Sequence, residues 1–224
     1  MTKHTYTGLI ILFLSLNACQ PEIPKKTYLA LGDSYTIGES VAVSERWPIQ
    51  LVNALNKKNI DLDSPQIIAK TGWTTDELQA GIDASILNFP YDYVSLLIGV
   101  NNQYRGRNVE DFKEEFHALL LNAISFSGNR RDRVFVVSIP DWGAMPFAQG
   151  RDREQIATEI DNYNQALYEI CAIEEVEAID VTLLSRQVDE HPQWIASDGL
   201  HPSGEQYARW VEEILPFFLN QVHE

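Results

Sequence analysis

The chain has 224 residues, 45% hydrophobic and 22% charged, a composition suited to one globular domain with a full core. Its formal net charge is −15. Nucleic-acid binding rests on neutralising phosphates with Lys and Arg, so this acidity argues against a nucleic-acid partner and equally against a polybasic membrane patch.

The N-terminus reads as a separate object. Lys3 precedes an apolar run, Leu9–Leu16, followed by Asn17, Ala18 and Cys19. A bilayer span takes about 20 apolar residues, so this run is too short to cross one and instead has the length of a signal-peptide core. The stretch LNAC, Leu16–Cys19, resembles a bacterial lipobox, although Asn17 is a less usual residue there. By that resemblance residues 1–18 are a signal peptide and Cys19 is the lipidated first residue of the mature chain. The protein is then an exported lipoprotein of the cell envelope, periplasm-facing or at the cell surface, held to a membrane by its N-terminal lipid. An ordinary secretory signal and an uncleaved anchor are the alternatives. Residues 19–26 form a polar, proline-containing tether, and 27–224 form the domain. The second cysteine, Cys171, lies in an apolar helical stretch and reads as packing. No Cys/His cluster with metal-ligand spacing occurs, so no metal is expected.

Beyond the tether, strand and helix signals alternate. Short apolar strands are expected at Thr27–Leu31, Gln66–Ala69, Tyr93–Ile98, Arg133–Ile139 and Val176–Asp180, the pattern of strands buried on both faces of a parallel sheet. Helical periodicity follows each, at Trp47–Lys58, Thr75–Leu87, Val109–Ser125, Arg153–Ile173 and Gly204–Leu219. Thr74 with Glu77 and Ser203 with Gln206 are spaced as capping boxes, and Asn108 as an N-cap. This alternation implies a doubly wound α/β domain, whose functional crevice lies beyond the carboxyl ends of the strands. The loops Gly32–Ser40, Lys70–Thr75, Gly99–Asn108 and Pro140–Gly150 lie on that rim, and the loop before the last helix can reach it.

Those loops carry a consistent chemistry. Ser34 sits just past the first strand as a candidate nucleophile, which needs a base and a group to orient that base. Asp198 and His201, three residues apart across a Gly-containing turn, supply both. Among the other histidines, His191 is the rival base. Gly72 and Asn101 sit where an N–H and an amide can meet charge developing on an acyl oxygen, with the Ser34 N–H as a third donor. Trp73, Trp142 and Trp194 fall in rim loops, where they either line an acyl or sugar pocket or pack over the core.

The blocks GDSY, TGWTT, GVNN and DGLH, in that order and spacing, resemble those of the SGNH (GDSL) hydrolases. The resemblance spans nearly the whole mature chain. It implies a three-layer α/β/α, flavodoxin-like fold with a five-stranded parallel sheet of order 2-1-3-4-5. It also implies a serine esterase working through an acyl-enzyme: Ser34 as nucleophile, His201 as base, Asp198 as its orienter, and Ser34, Gly72 and Asn101 as the oxyanion hole. No cofactor is required, and the partner is a small-molecule, carbohydrate or lipid acyl ester. Thioesterase or acyltransferase chemistry is a close variant. The third block departs from the family pattern, with Asn102 where an Asp is usual. That departure is the one foothold for the alternative, a catalytically silent surface lipoprotein that binds a glycan or protein on the same scaffold.

Overall fold

A computed structural model describes Met1 and residues 24–221 of the chain. Residues 2–23, with Cys19 and the expected signal and tether, and 222–224 lie outside the described residues. Among the described residues, no helix is long and apolar enough to cross a membrane.

Five strands, β1 (Tyr28–Gly32), β2 (Gln66–Ala69), β3 (Tyr93–Leu97), β4 (Val134–Val137) and β5 (Glu177–Ile179), pair in parallel in the order β2-β1-β3-β4-β5. Among the described residues eight α-helices accompany them: α1 (Ser34–Ile37), α2 (Trp47–Asn56), α3 (Thr75–Asp83), α4 (Val100–Tyr104), α5 (Val109–Phe126), α6 (Arg153–Ile173), α7 (Thr182–Ser185) and α8 (Gly204–Asn220). Helix α2 packs on α8 over one face, while α3, α5 and α6 form a row over the other. The result is the expected three-layer α/β/α sandwich. Strands β1, β3 and β4 are buried at every residue, as central strands covered on both faces must be. Their apolar side chains, with Trp47 and Trp210 from the helices, make up the core. Cys171 is buried there, and burial pushes its thiol up to about 12, so it is an inert packing residue.

Element boundaries differ from expectation where side chains intervene. Helix α3 stops at Asp83 rather than Leu87: the Ser85 hydroxyl takes the Gly81 carbonyl at 2.7 Å, and Ile86 turns out to solvent. Strand β4 ends at Val137 because Asn164 of α6 claims both backbone groups of Ile139, at 2.8 and 2.9 Å. The first capping box forms only in part. Glu77 accepts from the Thr74 amide at 3.0 Å, but the Thr74 hydroxyl donates to Asp76 instead of accepting from the helix. In the second, Ser203 accepts from the Gln206 amide at 3.4 Å, but the buried Gln206 side chain reaches Leu184 rather than returning to Ser203. Asn108 caps α5 as expected, accepting from Glu110 at 2.8 Å.

Candidate active site

The first strand ends on Gly32 because nothing larger fits. A Cβ there would lie 2.4 Å from the Leu97 carbonyl oxygen and 2.1 Å from the Thr36 hydroxyl. This close approach of β1 to the end of β3 lets the chain turn at once into α1, with Ser34 at the strand tip. Asp33 steadies the turn: its Oδ1 accepts from the Tyr35 amide at 3.0 Å. Asp33 is fully buried, and that burial pushes its carboxyl up to about 7 against the pull of the Tyr35 amide. Its Oδ2 has no hydrogen-bond partner among the described residues.

The loop before α8 is closed by an antiparallel bridge between Ile195 and Pro202 and by the Ala196 amide donating to the His201 carbonyl at 2.8 Å. Within it, Asp198 Oδ1 accepts from the amides of Leu200 and His201, both at 3.0 Å. This local wrap brings Asp198 Oδ2 to 2.6 Å from His201 Nδ1. Partial burial pushes the Asp198 carboxyl up, but hydrogen bonds from Ser40, His201 and the two amides outweigh it and hold the group well below the usual carboxylate range.

Ser34, Asn101 and His201 come together on the wall of one cavity of about 170 Å³, completed by Tyr35, Val100, Tyr104, Trp142, Phe147 and Leu200. Ser34 and His201 are both buried, and the Tyr35 ring meets the imidazole edge-on at 5.3 Å. No hydrogen bond joins the Ser34 hydroxyl to the imidazole in this structure; such contacts are commonly loose without substrate and tighten in the reacting complex.

Gly72 does not line the cavity wall. It lies on the adjoining loop with φ +84, a conformation that favours glycine, and its carbonyl accepts from Arg105 at 2.6 Å. The next residue, Trp73, accepts from the Asn101 side-chain amide at 2.9 Å. Asn102 is fully buried and works locally: its Oδ1 accepts from the Thr75 amide at 3.1 Å, and its Nδ2 donates to the Thr75 hydroxyl at 2.6 Å. The Thr75 hydroxyl in turn donates to Glu115. An amide at 102 supplies the donor that this chain of bonds needs, and a carboxylate would not.

The rival histidine is placed elsewhere, with His191 stacked on Trp194 at 4.1 Å. Of the three rim tryptophans, only Trp142 lines the cavity. Trp73 packs against Gly81, and Trp194 joins a small cluster with Met145 and Val188. The sequence did not point to Phe147, Tyr104 and Leu200 as cavity walls, nor to Ser40 as a partner of Asp198; an aromatic or a serine in a loop carries no local signal of what it will face.

Residues 30–209 match the sequence profile of the GDSL-like lipase/acylhydrolase family. No curated protein sequence matches the chain. Among solved structures, TesA is similar with a TM-score of 0.67 and 19% identity, covering 86% of this chain and 97% of that one. A psychrotrophic esterase, EstA from Pseudoalteromonas sp., gives a TM-score of 0.69 at 15% identity over 89% of this chain and 100% of that one. The acetylxylan esterase Axe2 from Geobacillus stearothermophilus gives 0.66 at 16% identity, covering 86% and 93%. At these identities the structural likeness speaks for the fold, and the profile match across most of the domain speaks for the lineage: the chain belongs to the GDSL-like lipase/acylhydrolase family and is an ester hydrolase of the SGNH type.

Proposed function

We propose that the protein is an exported serine esterase that cleaves short-chain acyl esters through an acyl-enzyme. The observation that carries this reading is the 2.6 Å contact between Asp198 and His201 Nδ1, made by an imidazole that lines the same cavity as Ser34 and Asn101. With Nδ1–H donated to Asp198, Nε2 is left as the acceptor. Ser34 Oγ attacks the ester carbonyl carbon while Nε2 takes the hydroxyl proton. Asp198 stabilises the imidazolium that forms. The negative oxygen of the tetrahedral intermediate is received by the N–H of Ser34 and by the Asn101 amide, both on the cavity wall, with the N–H of Gly72 on the adjoining loop as the third donor that the family resemblance implies. Collapse expels the alcohol with the proton from His201. A water activated by the same imidazole then releases the acid.

The cavity supports the choice of a short acyl group. Its walls are largely aromatic and aliphatic, and about 170 Å³ is well below the roughly 300–1,000 Å³ of pockets that hold drug-sized ligands. Trp142 is a rigid wall, because its indole N–H donates to Gln103 at 2.7 Å and Gln103 donates to Glu159 at 2.7 Å.

The lipobox-like LNAC supports tethering through Cys19. Strand β1 runs from Tyr28 to Gly32, so a tether entering before Tyr28 joins the sheet at the end opposite Ser34. Replacing Cys19 with Ser should release the protein from the membrane fraction; retention would point to another anchor.

The test of the chemistry is labelling by a fluorophosphonate probe. Wild-type protein should be labelled and Ser34→Ala should not. An unlabelled wild type would favour the silent binding scaffold.

A further inference from the structure

The two oxygens of Asp198 do different work. Oδ1 serves its own loop, accepting from the amides of Leu200 and His201. Oδ2 accepts from His201 Nδ1 at 2.6 Å and also from the hydroxyl of Ser40, 158 residues away in sequence, at 2.7 Å. Ser40 makes this contact with φ +62, a left-handed conformation that a residue with a Cβ adopts only at a steric cost. The neighbouring Glu39 ties the same turn in two other directions. Its amide donates to the Ser34 carbonyl at 3.0 Å, and its carboxylate accepts from the Thr71 hydroxyl, next to Gly72. Residues 39 and 40 thus link the loop of the nucleophile to both the loop of Gly72 and the loop of the base.

We propose that Ser40 is a positioning residue for the base: its hydroxyl fixes Asp198 Oδ2 in line with His201 Nδ1 and so aims the imidazole at Ser34. The proposal rests on the assignment of Ser34, His201 and Asp198 as the reacting set. Donation from Ser40 also spreads part of the negative charge of Asp198. Without it the full negative charge of Asp198 faces the imidazole, and the electrostatics of the pair change. Tyr35 meets the imidazole edge-on, and the acidic groups that act on Tyr35 and Tyr207 there are Asp33, Asp141, Asp198 and Glu39. Burial holds both tyrosine hydroxyls well above their ordinary range. Asp33 is pushed up to about 7, but it is common to all variants compared, so the informative quantity is the displacement between profiles.

The experiment measures the second-order rate of fluorophosphonate labelling of the full chain from pH 5 to 9, which needs no known substrate. Ser40→Gly removes the hydroxyl while suiting the left-handed backbone, so its melting temperature should not fall; Ser40→Ala removes it and keeps the strain. Both variants should label about tenfold more slowly at pH 7, the order expected for losing a hydrogen bond to a charged group. Their acid limb should be displaced along the pH axis. In an Asp198→Ala background, Ser40→Gly should cause no further loss. Wild-type labelling and an undisplaced limb in Ser40→Gly overturn the proposal, as does an undiminished effect in the Asp198→Ala background. Labelling that survives Ser34→Ala instead removes the underlying assignment, and the role of Ser40 with it.

Discussion

The side-chain amide of Asn101 donates to the backbone carbonyl of Trp73 at 2.9 Å. One of its two N–H groups is thereby committed to the neighbouring loop, which orients the amide and leaves the second N–H for the cavity that Asn101 lines. A donor held in place before the reaction costs no reorganisation when charge develops. Asn101→Ala is therefore expected to lower kcat by about 10²–10³ with little change in KM. Unchanged turnover in steady-state assays would take Asn101 out of the oxyanion hole.

A second expectation concerns stability and pH. The folded Asp33 carboxyl holds its proton up to about 7, whereas an unfolded one releases it near 3.9. Between those values the folded state binds more protons, so stability falls as pH rises through the window, by at most about 1.4 kcal/mol per pH unit. Asn at position 33 retains an oxygen for the Tyr35 amide and cannot ionise. Urea midpoints at pH 5 and pH 8 should show a smaller loss in Asp33→Asn than in wild type. Parallel losses would mean that Asp33 is ionised throughout.

Phe147 tests the size of the acyl site. It is 46% exposed, contacts Trp142 and Tyr104 at ring separations of 6.1 and 6.4 Å, and is tied to the base loop by its amide donating to the Gly199 carbonyl at 2.9 Å. Phe147→Ala keeps that backbone contact and opens the wall. In a series of p-nitrophenyl esters, kcat/KM should gain up to about fourfold for each further methylene that the enlarged cavity accepts, from about 0.8 kcal/mol per buried CH₂. An unaltered chain-length ranking would show that the acyl group lies elsewhere.

Much of the fold was legible from local pattern. Strand β2 and helix α6 have the expected bounds, Gln66–Ala69 and Arg153–Ile173. The alternation of such runs implied the parallel sheet, and the sheet implied which loops share a rim. Two of the ends that differ, those of α3 and β4, have one cause in common. At Ser85 and Asn164 a side chain bonds to a backbone group and so competes with the regular pattern.

At the site, the division follows sequence distance. The pairing of Asp198 with His201 was readable because both lie in one turn, where three residues of spacing nearly decide the geometry. The contact of Ser40 with Asp198, the locking of Trp142 by Gln103 and Glu159, and the commitment of Asn102 to Thr75 were not readable. Each joins segments that follow different strands. Backbone propensity and hydrophobic periodicity act over a few residues and leave their mark on the chain itself. A hydrogen bond between distant loops depends on where the packed sheet and helices bring those loops, and no local pattern records that.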